Sequence, residues 1–117
     1  MAENLAETVE KYFRANRTHD LKLMRSILAD DVEITSQAGT VKGADACVEL
    51  VDKFLTQTGG IDPQPGPLLI DGDTVAVQIQ AHLAQLKEIR NLGDFFTIKN
   101  GKITHLFIYQ ANTTKMA

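Results

Sequence analysis

Nine residues near the middle of the chain, Gly59 to Pro67, hold three glycines and all three of the chain's prolines. Proline fixes φ and lacks an amide donor, and glycine loses the most backbone entropy on ordering, so breakers this dense exclude a regular interior element. The spacing predicts a loop. On either side of it the apolar residues keep different periods, and that division limits the folds available.

Before the loop, apolar residues recur three and four apart. Leu5, Val9, Tyr12 and Phe13 form one helical stripe. Asp20 stands where an N-cap should, ahead of Leu21, Leu23, Met24, Ile27 and Leu28, and predicts a short second helix that Ala29 to Asp31 end. Val32, Ile34 and Ser36 then alternate with Glu33, Thr35 and Gln37, at the period of a strand. Gly39 and Gly43 bracket an expected turn region. A third helix is expected from about Ala44 to Thr56, with Cys47, Val48, Val51, Phe54 and Leu55 on one face.

After the loop the period is two. Leu68 to Ile70 precede an Asp71-Gly72-Asp73 turn, and in the strand that follows Val75, Val77, Ile79, Ala81 and Leu83 oppose Ala76, Gln78, Gln80, His82 and Ala84. A further strand spans about Glu88 to Lys99, Asn100-Gly101 has the residues of a type I′ hairpin turn, and Ile103 to Gln110 returns as the last strand. Helices followed by an antiparallel meander give an α+β order, with the helices covering one face of a curved sheet. Three helices leave part of a concave sheet uncovered, so an apolar, cone-like pocket is expected.

The 117 residues suit one domain, residues 1–117. With 12 basic and 15 acidic side chains and no basic stripe, nucleic acid is not an expected partner. No apolar run approaches the length of a membrane span, and the acidic N-terminal residues do not resemble a signal peptide, so the expected location is cytoplasmic with no membrane partner. The single cysteine, Cys47, forms no internal disulfide and reads as a buried structural thiol. The three histidines lack metal-ligand spacing, so neither metal nor cofactor is expected.

The segments "LADDVEIT", "VKGADACVEL" and "FFTIKNGKITHLFIY", in that order over nearly the whole chain, resemble the SnoaL-like branch of the NTF2-like superfamily. The resemblance implies an NTF2-like cone in which three N-terminal helices pack on a curved mixed or antiparallel sheet. That superfamily includes steroid isomerases, polyketide cyclases, epoxide hydrolases and transport factors, so the fold alone does not choose an activity.

Residue by residue, the resemblance implies the following. Tyr12 matches the first-helix tyrosine with which ketosteroid isomerases stabilise an oxyanion. Ser36 stands at the position of their general-base aspartate, and Asn91 falls near their second oxyanion donor. Epoxide hydrolases resemble the chain in "DGDTV" and "GKIT", but Ile79, Ala81, Ile108, Ile34 and Ser36 occupy the positions of their charged trio and water-holding pair. The last-strand acid of the polyketide cyclases also falls near Ile108. No catalytic residue is therefore assigned. A small, mostly apolar ligand is expected against Tyr12, Ile34, Ser36, Val77, Ile79, Asn91, Ile108 and Gln110. Asp94 enters this pocket only if its strand carries a bulge.

Alternation places His82 with Gln78 and Gln80, and His105 with Phe107 and Tyr109, on the outer sheet face. That mixed aromatic and amide surface predicts a homodimer through the convex sheet, the surface through which many relatives pair. His19 reads as a surface residue, and Asp30-Asp31 as solvent-facing acids. Two functions remain open: a pocket for a small apolar molecule, with or without isomerase- or cyclase-type chemistry next to a carbonyl, and a non-enzymatic homodimeric module whose cavity is a packing remnant.

Overall fold

The computed structural model describes residues 4–116. Three helices come early: α1 (Leu5–Thr18), α2 (Leu21–Ser26) and α3 (Ala44–Thr58). Asn4 caps α1 by accepting from the Glu7 amide at 3.0 Å. Asp20 caps α2 as its position predicts, accepting from the Leu23 amide at 3.0 Å. Along α1 the buried positions include Val9, Tyr12, Phe13 and Asn16, the three-and-four spacing that turns one stripe inward.

Seven strands form one curved sheet: β1 (Leu28–Ser36), β2 (Gly39–Lys42), β3 (Asp62–Pro65), β4 (Leu69–Asp71), β5 (Thr74–Leu83), β6 (Glu88–Lys99) and β7 (Lys102–Lys115). The order is β2-β1-β7-β6-β5-β3, with β4 also paired to β5. The β1–β7 pair is parallel and the rest antiparallel, so the sheet is mixed. The path has two ends, β2 and β3, so the sheet does not close. The class is α+β, with three helices on one face of an open, curved sheet.

Four local expectations are corrected. The second helix ends at Ser26, and Ala29 to Asp31 belong to β1. Long-range pairing overrides local propensity there, because the Ile103 amide donates to Ile27 O at 2.7 Å and Leu28 registers against Ile103. Gly39–Lys42 is a strand hairpinned onto β1 rather than a turn. The breaker-rich segment contains the edge strand β3, and its prolines fit because of parity. The Gly66 amide donates to Gln78 O at 2.8 Å, which by alternation points the nitrogens of Pro63 and Pro65 off the sheet edge, where no donor is needed. Finally, β7 runs on to Lys115, five residues past Gln110.

The terminal hairpin matches its reading. Asn100 and Gly101 both have positive φ, 54° and 73°, as a type I′ turn requires. Inside the cone, Phe96, Met24, Leu28, Leu55, Ile98, Ile103 and Leu106 are fully buried. Each contributes roughly 1.5–3 kcal/mol of apolar transfer, and together they hold α1 and α3 against the sheet. Tyr12 meets this core edge-on, 5.2 Å from Phe96 and 5.4 Å from Phe13 between ring centroids.

Candidate functional site

Between α1, α3 and the concave sheet lies a cavity of about 360 Å³. Its wall is mostly apolar, with Phe13, Ile34, Leu50, Val51, Phe54, Ile61, Ile79, Leu83, Leu92 and Ile108 among the contributors. Polar groups enter from α1 (Tyr12, Asn16), from the end of β1 (Ser36), from β6 (Arg90, Asp94) and from β7 (Gln110). The volume lies within the range of small-molecule sites, and a few converging polar groups in an apolar wall is their usual composition.

Among the described residues Asp94 is the one acid on this wall. It is 3% exposed, and its Oδ1 has no hydrogen-bond partner among the described residues. Burial pushes its carboxyl up from 3.8 to about 7, because a carboxylate held away from water is penalised relative to the neutral acid. No bulge in β6 brings it inward. The β5–β6 ladder is regular through this stretch, with Asp94 opposite Val77, and on the other side Asp94 sits opposite Ile108. Directly paired residues share a face, so Asp94 faces the cone with both. The irregularities of the β6–β7 ladder lie on β7 instead, where Ala111 is the extra residue between the pairs Asn91–Asn112 and Leu92–Gln110 and Thr104 the extra residue between Thr97–His105 and Ile98–Ile103.

The same parity moves Asn91 out of the cone. It pairs with Gln80 on the convex face, and its Nδ2 donates to Asn112 Oδ1 at 2.7 Å. The polar side chain reaching the cavity from β6 at depth is Asp94. Val77 is buried beneath the wall without lining the cavity. Tyr12, Ile34, Ser36, Ile79, Ile108 and Gln110 do come together on the wall. Ser36 Oγ accepts from the Ala38 amide at 3.2 Å, and Gln110 Nε2 donates to Thr113 Oγ1 at 2.8 Å.

Burial raises the Tyr12 hydroxyl above its ordinary value, and a negative charge on Asp94 raises it further, while the Asn16 amide beside it acts in the opposite sense. Tyr12 is thus a neutral hydrogen-bond donor throughout the physiological range. Asn16 Nδ2 also donates to Tyr12 O at 3.0 Å, one helical turn back. Sequence reasoning passed over Asn16, and it reached Arg90 only as a residue that a one-residue shift of the strand exchanges for Asn91 at the wall. The signals were available: Asn16 lies four positions after Tyr12 on the same helical face, and Arg90 two positions before Leu92 on the same strand face.

The other chemistry-bearing residues lie elsewhere. His19 is exposed at the end of α1, with Nε2 2.7 Å from Asp52 Oδ1. Asp30 is exposed and bound by Arg25 Nη2 at 2.8 Å, while Arg25 Nε reaches Asp45 at 3.1 Å and ties α2, β1 and α3 together. Cys47 is buried with its Sγ 3.5 Å from Val41 O, and burial raises its thiol. Among the described residues no group of three or more His, Cys, Asp or Glu side chains could hold a metal ion. Among the described residues no helix is long and apolar enough to cross a membrane.

On the convex face His105 stacks on Phe107 at 4.1 Å, Phe107 stacks on Tyr109 at 6.3 Å, and Phe95 meets Tyr109 edge-on at 5.7 Å. Phe95 and Tyr109 are 44% and 58% exposed. Gln78, Gln80 and Asn91 flank this ladder, and His82 shares the face, half-buried.

Residues 9–106 match the profile of the SnoaL-like domain. No curated protein matches the chain by sequence. Similar solved structures include an epoxide hydrolase of the LEH-like type from M. tuberculosis, 18% identical with TM-score 0.80, covering 92% of this chain and 82% of that one. A provisionally named ketosteroid isomerase from Kribbella flavida is 17% identical with TM-score 0.78, covering 97% and 82%. A protein of unknown function from Burkholderia thailandensis is 16% identical with TM-score 0.80, covering 96% and 99%. At these identities the likeness is one of fold.

Proposed function

The chain belongs to the SnoaL-like domain family, and from that premise we propose that its cone binds a small, mostly apolar molecule carrying a carbonyl group and moves a proton at the adjacent carbon. The supporting observation is Asp94: a buried acid with a free oxygen in an otherwise apolar cavity, close enough to Tyr12 for its charge to act on the phenol. A carboxyl near 7 is matched to accepting and returning a proton around neutral pH. In this reading the Asp94 carboxylate takes a proton from the carbon next to the carbonyl, and the Tyr12 hydroxyl donates a hydrogen bond to the oxygen as it gains enolate charge. Returning the proton at a different carbon isomerises the substrate. Asp94 replaces Asn91 as the second polar group of the site, and a carboxylic acid supplies the base that an amide lacks.

The test is exchange of the α-protons of cyclohexanone in D₂O, followed by ¹H NMR. The expected result is exchange faster than in buffer, slowed at least 100-fold by Asp94→Asn, with a rate that rises through pH 7. Binding without accelerated exchange would overturn the catalytic part and leave a binding protein. Absence of binding across a panel of cyclic and open-chain ketones would overturn the whole reading.

A second reading concerns assembly. The exposed ladder of Phe95, Phe107 and Tyr109, flanked by uncharged amides, has the composition of an interface core rather than of a solvated face. We infer that two copies pair through it about a two-fold axis. This reading is compatible with the first, since the cavity opens on the opposite side of the sheet. Taken alone, it supports a homodimeric interaction module.

A further inference from the structure

The cation on the cavity wall is Arg90. It registers against Ala81 of β5 and Thr113 of β7, on the same strand face as Leu92 and Asp94. Its side chain is 27% exposed, against 3% exposure for Asp94, so Arg90 stands nearer solvent. Four residues at about 3.3 Å each separate the two along the strand, roughly 13 Å.

Among the described residues Arg90 has one acidic ion-pair partner, and that partner is shared. Arg90 Nε and Nη2 both donate to Glu88 Oε2 at 3.2 Å, while Lys115 Nζ holds Glu88 Oε1 at 3.1 Å. A full fork-to-fork pair uses both carboxylate oxygens at about 2.7–2.9 Å. Here one oxygen is taken by the lysine, the arginine bonds are long, and Nη1 takes part in neither. Two cations on one carboxylate leave the trio with one net positive charge, partly desolvated beside an apolar cavity. The other two side chains are committed to this trio, and Arg90 is the member that reaches the cavity wall.

We propose that Arg90 makes this cavity selective for monocarboxylates with an apolar body. The carboxylate binds the guanidinium, the body lies along Ile79, Leu92 and Ile108, and the reactive carbonyl reaches Tyr12 and Asp94. This rests on the reading of the cavity as a ligand site and narrows its substrate class to small keto acids. It also gives Glu88 a role, because its carboxylate occupies the guanidinium until a ligand competes for it.

The test compares octanoate with octanamide, equal in length and differing in charge, by calorimetric titration at pH 6. The wild-type protein is expected to bind octanoate about tenfold more tightly than octanamide. Arg90→Met should abolish that preference, and an unchanged thermal melt followed by circular dichroism reports that the variant is folded. Glu88→Gln should strengthen octanoate binding severalfold by freeing the guanidinium. Equal affinity for the two probes in the wild type, or a preference that survives Arg90→Met, would overturn the role of Arg90 while leaving the cavity as a ligand site. Binding of neither probe overturns the carboxylate proposal alone, and the ketone panel decides separately whether the cavity is a ligand site.

Discussion

Asp94 acts on Tyr12 across the cone: a negative charge on the carboxyl raises the phenol beyond what burial alone does. The two residues come from opposite layers, α1 and β6, and meet where the sheet's curvature leaves the helices unable to fill it. A neutral donor beside an acid that titrates near 7 is an arrangement in which environment separates two roles. That pairing carries the functional reading, and its consequences can be measured.

The first concerns stability and pH. Asp94 titrates at about 7 in the folded chain against an ordinary 3.8, so the folded state binds this proton more tightly than the unfolded one. The contribution is largest below about pH 4, declines as pH rises through 7, and is then lost. Three units correspond to about 4 kcal/mol at most. Urea unfolding of wild type and Asp94→Asn at pH 5 and pH 8 should show the variant gaining about 2–3 kcal/mol relative to wild type at the higher pH. A difference independent of pH would mean that the carboxyl titrates normally.

Tyr12 tests the oxygen-binding half of the site. Tyr12→Phe retains the edge-on contacts with Phe13 and Phe96 and removes only the donor. Affinity for a ketone such as cyclohexanone should fall roughly tenfold, consistent with one lost hydrogen bond, while affinity for cyclohexane-like ligands stays the same. NMR shift titrations measure both, and an unchanged ketone affinity removes Tyr12 from the site.

Assembly is read out by mass. Sedimentation equilibrium at micromolar concentration should give twice the chain mass. Tyr109 is 58% exposed, so Tyr109→Glu leaves the fold intact, and by placing like charges across a two-fold interface it should weaken association at least 30-fold. A wild-type monomer under these conditions excludes the convex interface.

The hairpin gives a test of fold alone. Gly101 has φ 73°, and a β-branched side chain there strains the backbone. Gly101→Val should cost about 1–2 kcal/mol, seen as a lower Tm with the cavity's ligand affinity retained in the folded fraction.

Several features were legible along the chain because they are local. The Asp20 cap, the α1 stripe, the Asn100-Gly101 turn and the inward set Val75 to Leu83 each depend on neighbours within a few residues, where period and turn chemistry decide the outcome. The convex placement of His82, Gln80 and Gln78 follows from the same alternation. By contrast, Ala29 to Asp31 read as a helix end, and only pairing with β7 makes them a strand. The Gly59 to Pro67 segment reads as loop because its breakers forbid an interior strand. At a sheet edge half the amides need no partner, and that freedom exists only once β5 is beside it.

The site divides along the same line. Tyr12, Ile34, Ile79 and Ile108 were identifiable through the family resemblance, with which helix face and strand parity agree. Whether Asn91 or Asp94 faces the cone was not. A strand's period of two gives two alternating faces without saying which is inward, and one residue of slip exchanges them. The cross-strand pairs Val77–Asp94 and Asp94–Ile108 settle it in favour of the acid. The sequence by itself determined most of the elements, their order and the family of folds. Only the tertiary structure decided that a carboxyl rather than an amide lies buried beside Tyr12, because burial, and the pKa it imposes, belongs to the assembled layers and to no segment alone.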